Sequence, residues 1–189
     1  MVIKPMLAYV RTLLTEVLNE GDVAVDATVG NGHDTLFLAQ LVGESGRVYG
    51  FDIQAEALAS ARARLEEAGV AERAAFFLES HAEMREFVPA GVKAVTFNLG
   101  YLPGGDLSVV TTEASTVPAL QAALDLLVPG GILSVMLYAG HDEGKVESEA
   151  VLDWAHHLHK KEAHVLMYRF WNQKNSPPIL LAIEKRGRL

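Results

Sequence analysis

Short apolar runs rich in β-branched residues alternate with helix-period stretches along this chain, and that alternation leaves few folds open. Leu7, Val10, Leu13, Leu14 and Leu18 repeat with the period of one helix face across Met6–Leu18, and Gly21-Asp22 breaks the pattern. Val23–Asp26 reads as a buried strand, followed by a glycine turn and a helix over Thr35–Leu41. Arg47–Asp52 predicts a second strand and Gln54–Ala68 a second helix. Ala74–Leu78 predicts a third strand with a short helix after it, and Ala94–Asn98 a fourth strand. A helix over Thr116–Leu127 is stopped by Pro129-Gly130-Gly131, and Ile132–Leu137 predicts a fifth strand. Lys145–His159 is helical in pattern, and His164–Phe170 and Ile179–Glu184 are the last two strands. Near-continuous apolar strands alternating with helices imply a parallel sheet covered on both faces. The link Trp171–Pro178 is too short for a crossover helix, so the last two strands pair as an antiparallel hairpin. The expectation is an α/β, doubly wound, mostly parallel seven-stranded sheet with a reversed last strand.

Size and composition support one such domain over residues 1–189. Apolar residues make up 50% of the chain, which excludes disorder. The chain has no cysteine, which excludes a disulfide scaffold, a thiolate nucleophile and cysteine-ligated metal. No apolar run approaches the roughly 18 residues that mark a membrane span. The start, Met-Val-Ile-Lys-Pro-Met, lacks a secretory pattern, so the expected location is the cytoplasm. Residues 160–189 hold seven basic and two acidic side chains, net +5, while the rest of the chain is net −13. A basic patch for a polyanion and a solvated tail both give this pattern. The overall charge of −8 argues against non-specific nucleic-acid binding but is compatible with a local grip on one RNA.

The turn after the first strand carries the chemistry. It reads Asp26-Ala27-Thr28-Val29-Gly30-Asn31-Gly32-His33-Asp34-Thr35. In an open parallel sheet, the crevice at the strand ends is the default ligand site, and glycines let backbone approach a ligand. Asp52 closes the second strand about 20 residues past the glycines, the place of an acid that accepts ribose hydroxyls. Ile53 and Gln54 follow it. Thr35 stands where a dinucleotide fingerprint needs a third glycine, and Asp26 would repel a pyrophosphate while suiting an ammonium. These residues favour S-adenosylmethionine over NAD. Asp34 lies near a helix N-terminus, where a carboxylate is favoured. Glu79 and Ser80 follow the third strand, where a resemblance to class I S-adenosylmethionine-dependent methyltransferases implies contact with the adenine amine, and His81 begins the next helix.

The Asp-Ala-Thr-x-Gly-Asn-Gly-x-Asp-Thr turn resembles class I S-adenosylmethionine-dependent methyltransferases. Asn98-Leu99-Gly100-Tyr101-Leu102-Pro103-Gly104-Gly105-Asp106 adds to the likeness. So do Tyr138-Ala139-Gly140-His141 with Gly144 and Glu147, and Asn172-Gln173-x-Asn175-x-Pro177-Pro178. Together these segments are similar to the small bacterial rRNA methylase family, over nearly the whole chain. That family is associated with N-methylation of 5-aminomethyl-2-thiouridine at the tRNA wobble position. The resemblance implies that Asn98 accepts a hydrogen bond from the target nitrogen and that Tyr101 steers or stacks on the substrate. Leu99 and Gly100 stand where related amino-methyltransferases carry two prolines, which suits an amine held on a side arm.

Asp106, His141 and water are candidate proton acceptors, since Asn98 cannot take a proton. Gly104, Tyr138, Asn172, Lys174 and Asn175 complete the expected substrate contacts, and Lys174 with Arg169 is expected beside the active edge. His156, His157 and His159 diverge around a helix and make no metal site. The expected partner is tRNA, with rRNA as the alternative and a homodimer as an open possibility. A small-molecule methyltransferase would have little use for the basic segment. A nicotinamide-dependent oxidoreductase is disfavoured by Thr35, by the reversed strand and by the lack of a Tyr-x-x-x-Lys pair. A non-catalytic module is disfavoured because Gly30, Gly32, Asp52 and Asn98 are all present.

Overall fold

The computed structural model describes residues 2–100, 111–138, 142–174 and 177–187. Its strands are β1 (Val23–Asp26), β2 (Arg47–Asp52), β3 (Ala74–Leu78), β4 (Val92–Asn98), β5 (Leu127–Leu137), β6 (Ala163–Tyr168) and β7 (Ile179–Lys185). Its helices are α1 (Met6–Val17), α2 (His33–Val42), α3 (Ala55–Glu67), α4 (Met84–Phe87), α5 (Glu113–Leu126) and α6 (Asp142–His157). The strands form one seven-stranded sheet in the order β3-β2-β1-β4-β5-β7-β6. All neighbours pair in parallel except β7, which is antiparallel to both β5 and β6. The doubly wound sheet with its reversed last strand is therefore the one expected.

Side-chain alternation along each strand divides the apolar residues between two cores. Ala24, Ala94, Ile132 and Leu180 face α1 and α2, where Val10, Leu14, Leu38 and Val42 meet them. Val25, Val95, Leu133 and Leu181 face the opposite side, where Leu120, Leu124, Val151 and Ala155 of α5 and α6 cover them. Leu7 departs from the helix-face reading. It is 52% exposed, because α1 buries Met6, Val10 and Leu14, with Leu18 just past its end, at four-residue spacing and turns Leu7 to the crevice.

Two expectations are corrected. The Pro129-Gly130-Gly131 segment does not separate α5 from β5, because β5 already begins at Leu127. Pairing with β4 jumps from Val92↔Leu127 to Ala94↔Ile132, so the segment is a bulge inside the strand. Gly130 makes the bulge possible with φ at +74°, a left-handed conformation that glycine adopts without a Cβ clash. Nor is every strand covered on both faces. β6 is one of the two edges of the sheet, and Val165, Leu166 and Met167 on it stay 40–51% exposed. His156, His157 and His159 are exposed. Among the described residues no helix is long and apolar enough to cross a membrane.

Candidate functional site

The carboxyl ends of β1, β2, β3 and β4 open into one crevice of about 580 Å³. Its floor is the glycine turn, and the turn is held from beneath. Asp26 is fully buried. It accepts hydrogen bonds from the Thr35 hydroxyl at 2.6 Å and from the Thr28 N–H at 3.2 Å. Burial, reinforced by the Asp34 charge, pushes its carboxyl from 3.8 up to about 7 despite those two donors. Asp26 thus braces the loop from inside the fold and is not among the residues that line the crevice.

Thr35 is the other half of that brace, which explains why a glycine does not stand there. Gly32 starts α2 at φ +77°, and a Cβ on it would lie 2.6 Å from Ala61 Cα. Its lack of a side chain serves the packing of α2 on α3. Asp26, Gly32 and Thr35, three expected cofactor contacts, are consequently not on the crevice wall.

The remaining expected cofactor contacts do line it: Thr28, Gly30, Asn31, His33 and Asp34 from the turn, Asp52, Ile53 and Gln54 after β2, Glu79, Ser80 and His81 after β3, and Asn98 and Leu99 after β4. Asp52 is half-buried and its carboxylate is oriented by backbone. Gly30 N–H donates to Oδ2 and Gln54 N–H donates to Oδ1, both at 2.9 Å. Each oxygen keeps a lone pair for a ligand hydroxyl. Ser80 caps the 3-10 turn His81–Glu83 by accepting from Ala82 N–H at 3.2 Å.

His81 is buried, with its ring edge on Phe97. Nδ1 lies 3.1 Å from the Ala27 carbonyl, so Nδ1 carries the proton and donates it. Burial lowers its pKa and keeps the ring neutral. Nε2 therefore presents a lone pair, and it has no partner among the described residues. Buried acceptors are normally satisfied, so this nitrogen would pair with an ordered water or with a donor brought by a ligand.

At the other end, Asn98 closes β4. Its backbone N–H donates to Thr28 Oγ1 at 2.7 Å, and its side-chain Nδ2 donates to Asp34 Oδ2 at 2.7 Å. The carboxylate fixes which way the amide faces, leaving Oδ1 as the acceptor for whatever enters. Tyr138 follows β5 on the same wall, and burial with the nearby Asp34 charge raises its pKa. Gly100 is tied on both sides: its N–H donates to Thr111 Oγ1 at 2.8 Å, and its carbonyl accepts from Thr111 N–H at 3.0 Å. Thr111 and Thr116 then donate to the two oxygens of Glu147, a buried carboxylate on α6, at 2.7 and 2.6 Å.

Sequence reasoning missed Leu7, Arg11, Phe51, Thr111 and Ser115 on this wall. Leu7 and Arg11 come from α1, which nothing in the turn motifs could place over the crevice. The expected residues Tyr101, Gly104, Asp106, His141 and Asn175 lie outside the described residues. Asn172 and Lys174 are exposed and do not line the crevice. They share its edge, because Asn98, Met136, Leu180 and Tyr168 stand in one row across β4, β5, β7 and β6. Arg169 lies over the Trp171 ring at 4.6 Å.

A mostly parallel sheet with a reversed β7, opening at an acid after β2 and an amide after β4, is a Rossmann-like methyltransferase fold. Residues 48–184 match the model of the family described as "Putative rRNA methylase", and the chain belongs to that family. It is similar to a protein of Arabidopsis thaliana named tRNA (mnm(5)s(2)U34)-methyltransferase, chloroplastic, with 37% identity over 91% of this chain. The chain spans 66% of that relative's length and smaller shares of two other methyltransferases it matches. Among solved structures, a "putative rRNA-methylase" from Clostridium thermocellum superposes with a TM-score of 0.96 at 45% identity, covering 98% of this chain and all of that one. A "putative methyltransferase" from Streptococcus mutans, solved in complex with SAH, gives 0.89 at 38% identity, covering 97% and 99%.

Proposed function

We propose that this chain transfers a methyl group from S-adenosylmethionine to the side-arm amine of 5-aminomethyl-2-thiouridine at the tRNA wobble position. One observation carries the reading. The Asn98 amide is held by Asp34 with its oxygen free, in the same crevice as the ribose-type acid Asp52. The name of the Arabidopsis relative supports the substrate.

The residues present fit the cofactor. The crevice volume falls within the ~300–1,000 Å³ of small-molecule sites. Asp52 would accept the ribose hydroxyls, the 28–31 backbone would line the cofactor's amino-acid end, and Glu79 with Ser80 would flank the adenine. The unpaired Nε2 of His81 offers an acceptor to one of its N–H or O–H groups. Bound there, the cofactor supplies an already activated methyl on a sulfonium, so the protein's work is positioning and exclusion of water.

Asn98 Oδ1 would hold one N–H of the amine, and Tyr138 would wall the substrate's approach. On this reading residues 1–189 form one methyltransferase domain acting on tRNA in the cytoplasm, alone or as a homodimer. The +5 segment would meet the RNA. Digestion of tRNA to nucleosides and mass spectrometry, with and without the purified protein and S-adenosylmethionine, tests this. The expected result is conversion of the aminomethyl nucleoside to its methylaminomethyl form. Methylation found only in digests of rRNA would replace the substrate, as the family description favours.

A further inference from the structure

We propose that Asp34 captures the substrate ammonium and takes its proton, a role that rests on the methyltransferase reading above. An alkylamine titrates near the lysine value, about 10.4, so at neutral pH only roughly one molecule in 2,500 arrives with a free lone pair. Something beside Asn98 must accept a proton, and Asn98 itself has no basic atom.

Asp34 is the carboxylate built into that spot. It is half-buried on the crevice wall, and one oxygen is taken by Asn98 Nδ2 at 2.7 Å. The other oxygen has no partner among the described residues. The ionisable groups around it come from four elements. Arg11 of α1 shares the crevice wall, but it lies over the Phe37 ring and makes no ion pair with Asp34 among the described residues. His33 precedes it on α2, Tyr138 follows β5, and Asp26 of β1 lies beneath. Asp26 and Tyr138 both register the Asp34 charge, and Asp26 registers Asp52 as well, so Asp34 is a source of negative potential at this end. A cation entering this end of the crevice is drawn to it.

The step balances as follows. One N–H bond of the ammonium breaks, the proton passes to an Asp34 carboxylate oxygen, and nitrogen keeps the electron pair. Rotation about the C–N bond, which is fast on the timescale of turnover, turns that pair toward the methyl carbon. The pair forms the new N–C bond while the C–S pair stays on sulfur. The product leaves as a secondary ammonium, and the Asp34 carboxyl returns its proton to water. Asn98 Oδ1 and Asp34 together also explain why an amine is selected over a hydroxyl: the site offers acceptors and negative charge.

Asp34→Asn is the discriminating variant. It keeps a carbonyl oxygen for Asn98 Nδ2 but removes the charge and the base. Single-turnover methylation of tRNA bearing the aminomethyl nucleoside is followed from about pH 6 to 10 for the wild type, Asp34→Asn and Asp34→Glu. Cofactor affinity is measured alongside by calorimetry. The expected result is a loss of about 10²-fold at neutral pH in Asp34→Asn, recovered as pH rises toward the amine's own titration. Asp34→Glu should restore part of the neutral-pH rate, and cofactor affinity should stay within about twofold in both variants. A wild-type profile in Asp34→Asn overturns the proposal, and so does an equal loss at every pH, which is the mark of a positioning role alone. A wild-type protein that leaves this tRNA unmethylated overturns the parent reading, and the Asp34 role falls with it.

Discussion

The two ends of the crevice are built differently. At the β1–β2 end, backbone N–H groups supply most of the donors: Thr28 to Asp26, and Gln54 and Gly30 to Asp52, with the Thr35 hydroxyl as the one side-chain donor. At the β4–β5 end, side chain meets side chain across long stretches of chain. Asp34 and Asn98 are 64 residues apart, and Thr111 and Glu147 are 36 apart. The first design makes a cradle out of the backbone of the glycine turn and of the residues that follow β2. The second assembles its geometry only when the sheet closes, so each contact there depends on the whole fold. The first end suits a ligand shared by many enzymes, and the second suits a particular acceptor.

The largest expected effect tests that division directly. Asn98→Ala removes the acceptor oxygen and leaves the backbone N–H on Thr28 intact. Turnover should fall about 10²-fold or more, the scale for lost alignment, while calorimetric cofactor affinity stays within about twofold. A parallel loss of both would mean that the two ends are one unit. Next comes Glu147→Leu, which strips the Thr111 and Thr116 hydroxyls of their acceptor. Urea unfolding should show about 2–3 kcal/mol lost, because buried polar groups are left unpaired. A loss under about 0.5 kcal/mol would show that this end does not depend on the α6 anchor.

The same division explains what was legible in the sequence. The sheet and its reversed strand were readable because β-branched runs and helix periods are local signals, and the 171–178 link had no room for a crossover. Asp52 was readable as a crevice residue because its distance to the glycines puts it at the carboxyl end of the neighbouring strand. Asp26 was readable as important but not in its role. Only burial, and the bond from Thr35 nine residues on, show that it braces the turn. Asp34 read as a helix-end carboxylate, since nothing local says that Asn98 will lie against it. Arg11 and Leu7 reach the wall through the placement of α1, a tertiary fact. The Pro129-Gly130-Gly131 segment misled for the opposite reason. It is a strong local breaker that the β4–β5 pairing overrides with a bulge.

Two smaller effects sharpen the picture of the cradle end. Asp52→Ala should weaken S-adenosylmethionine binding by about 1–3 kcal/mol, the range for hydrogen bonds to a charged acceptor, and calorimetry reads it. Unchanged affinity would remove Asp52 from the ribose site. Asp26→Asn should change pH dependence more than function. The native carboxyl titrates near 7 and the unfolded one near 3.8, so the folded state holds a proton that the unfolded state releases between them. Its stabilisation is complete below 3.8 and is lost as pH rises toward about 7. Comparing thermal stability at about pH 5 and pH 7, the wild type should lose about 1–2 kcal/mol more than Asp26→Asn does. His81 has a lowered pKa and so favours unfolding as pH falls below 6.5, but it is common to both proteins and cancels in the difference. Identical pH dependence would mean that Asp26 is ionised in the fold.

The smallest effect lies outside the crevice and asks how far the acceptor end extends. The row Asn98, Met136, Leu180 and Tyr168 brings the β6–β7 link to the same sheet edge as the amide, although Lys174 is not on the crevice wall. Lys174 is exposed, and Arg169 beside it is stacked on Trp171, which is itself 84% exposed. An exposed aromatic ring with a cation on its face, next to a free-standing lysine, offers stacking and phosphate contact together. A phosphate contact releases condensed counterions, so tRNA affinity should fall as salt rises. Lys174→Ala should flatten the log–log salt dependence by roughly one unit of slope and leave cofactor binding as it was. A lysine that is only solvated changes neither quantity. Superimposable salt titrations of wild type and Lys174→Ala would end the acceptor site at Tyr138 and leave the link outside it.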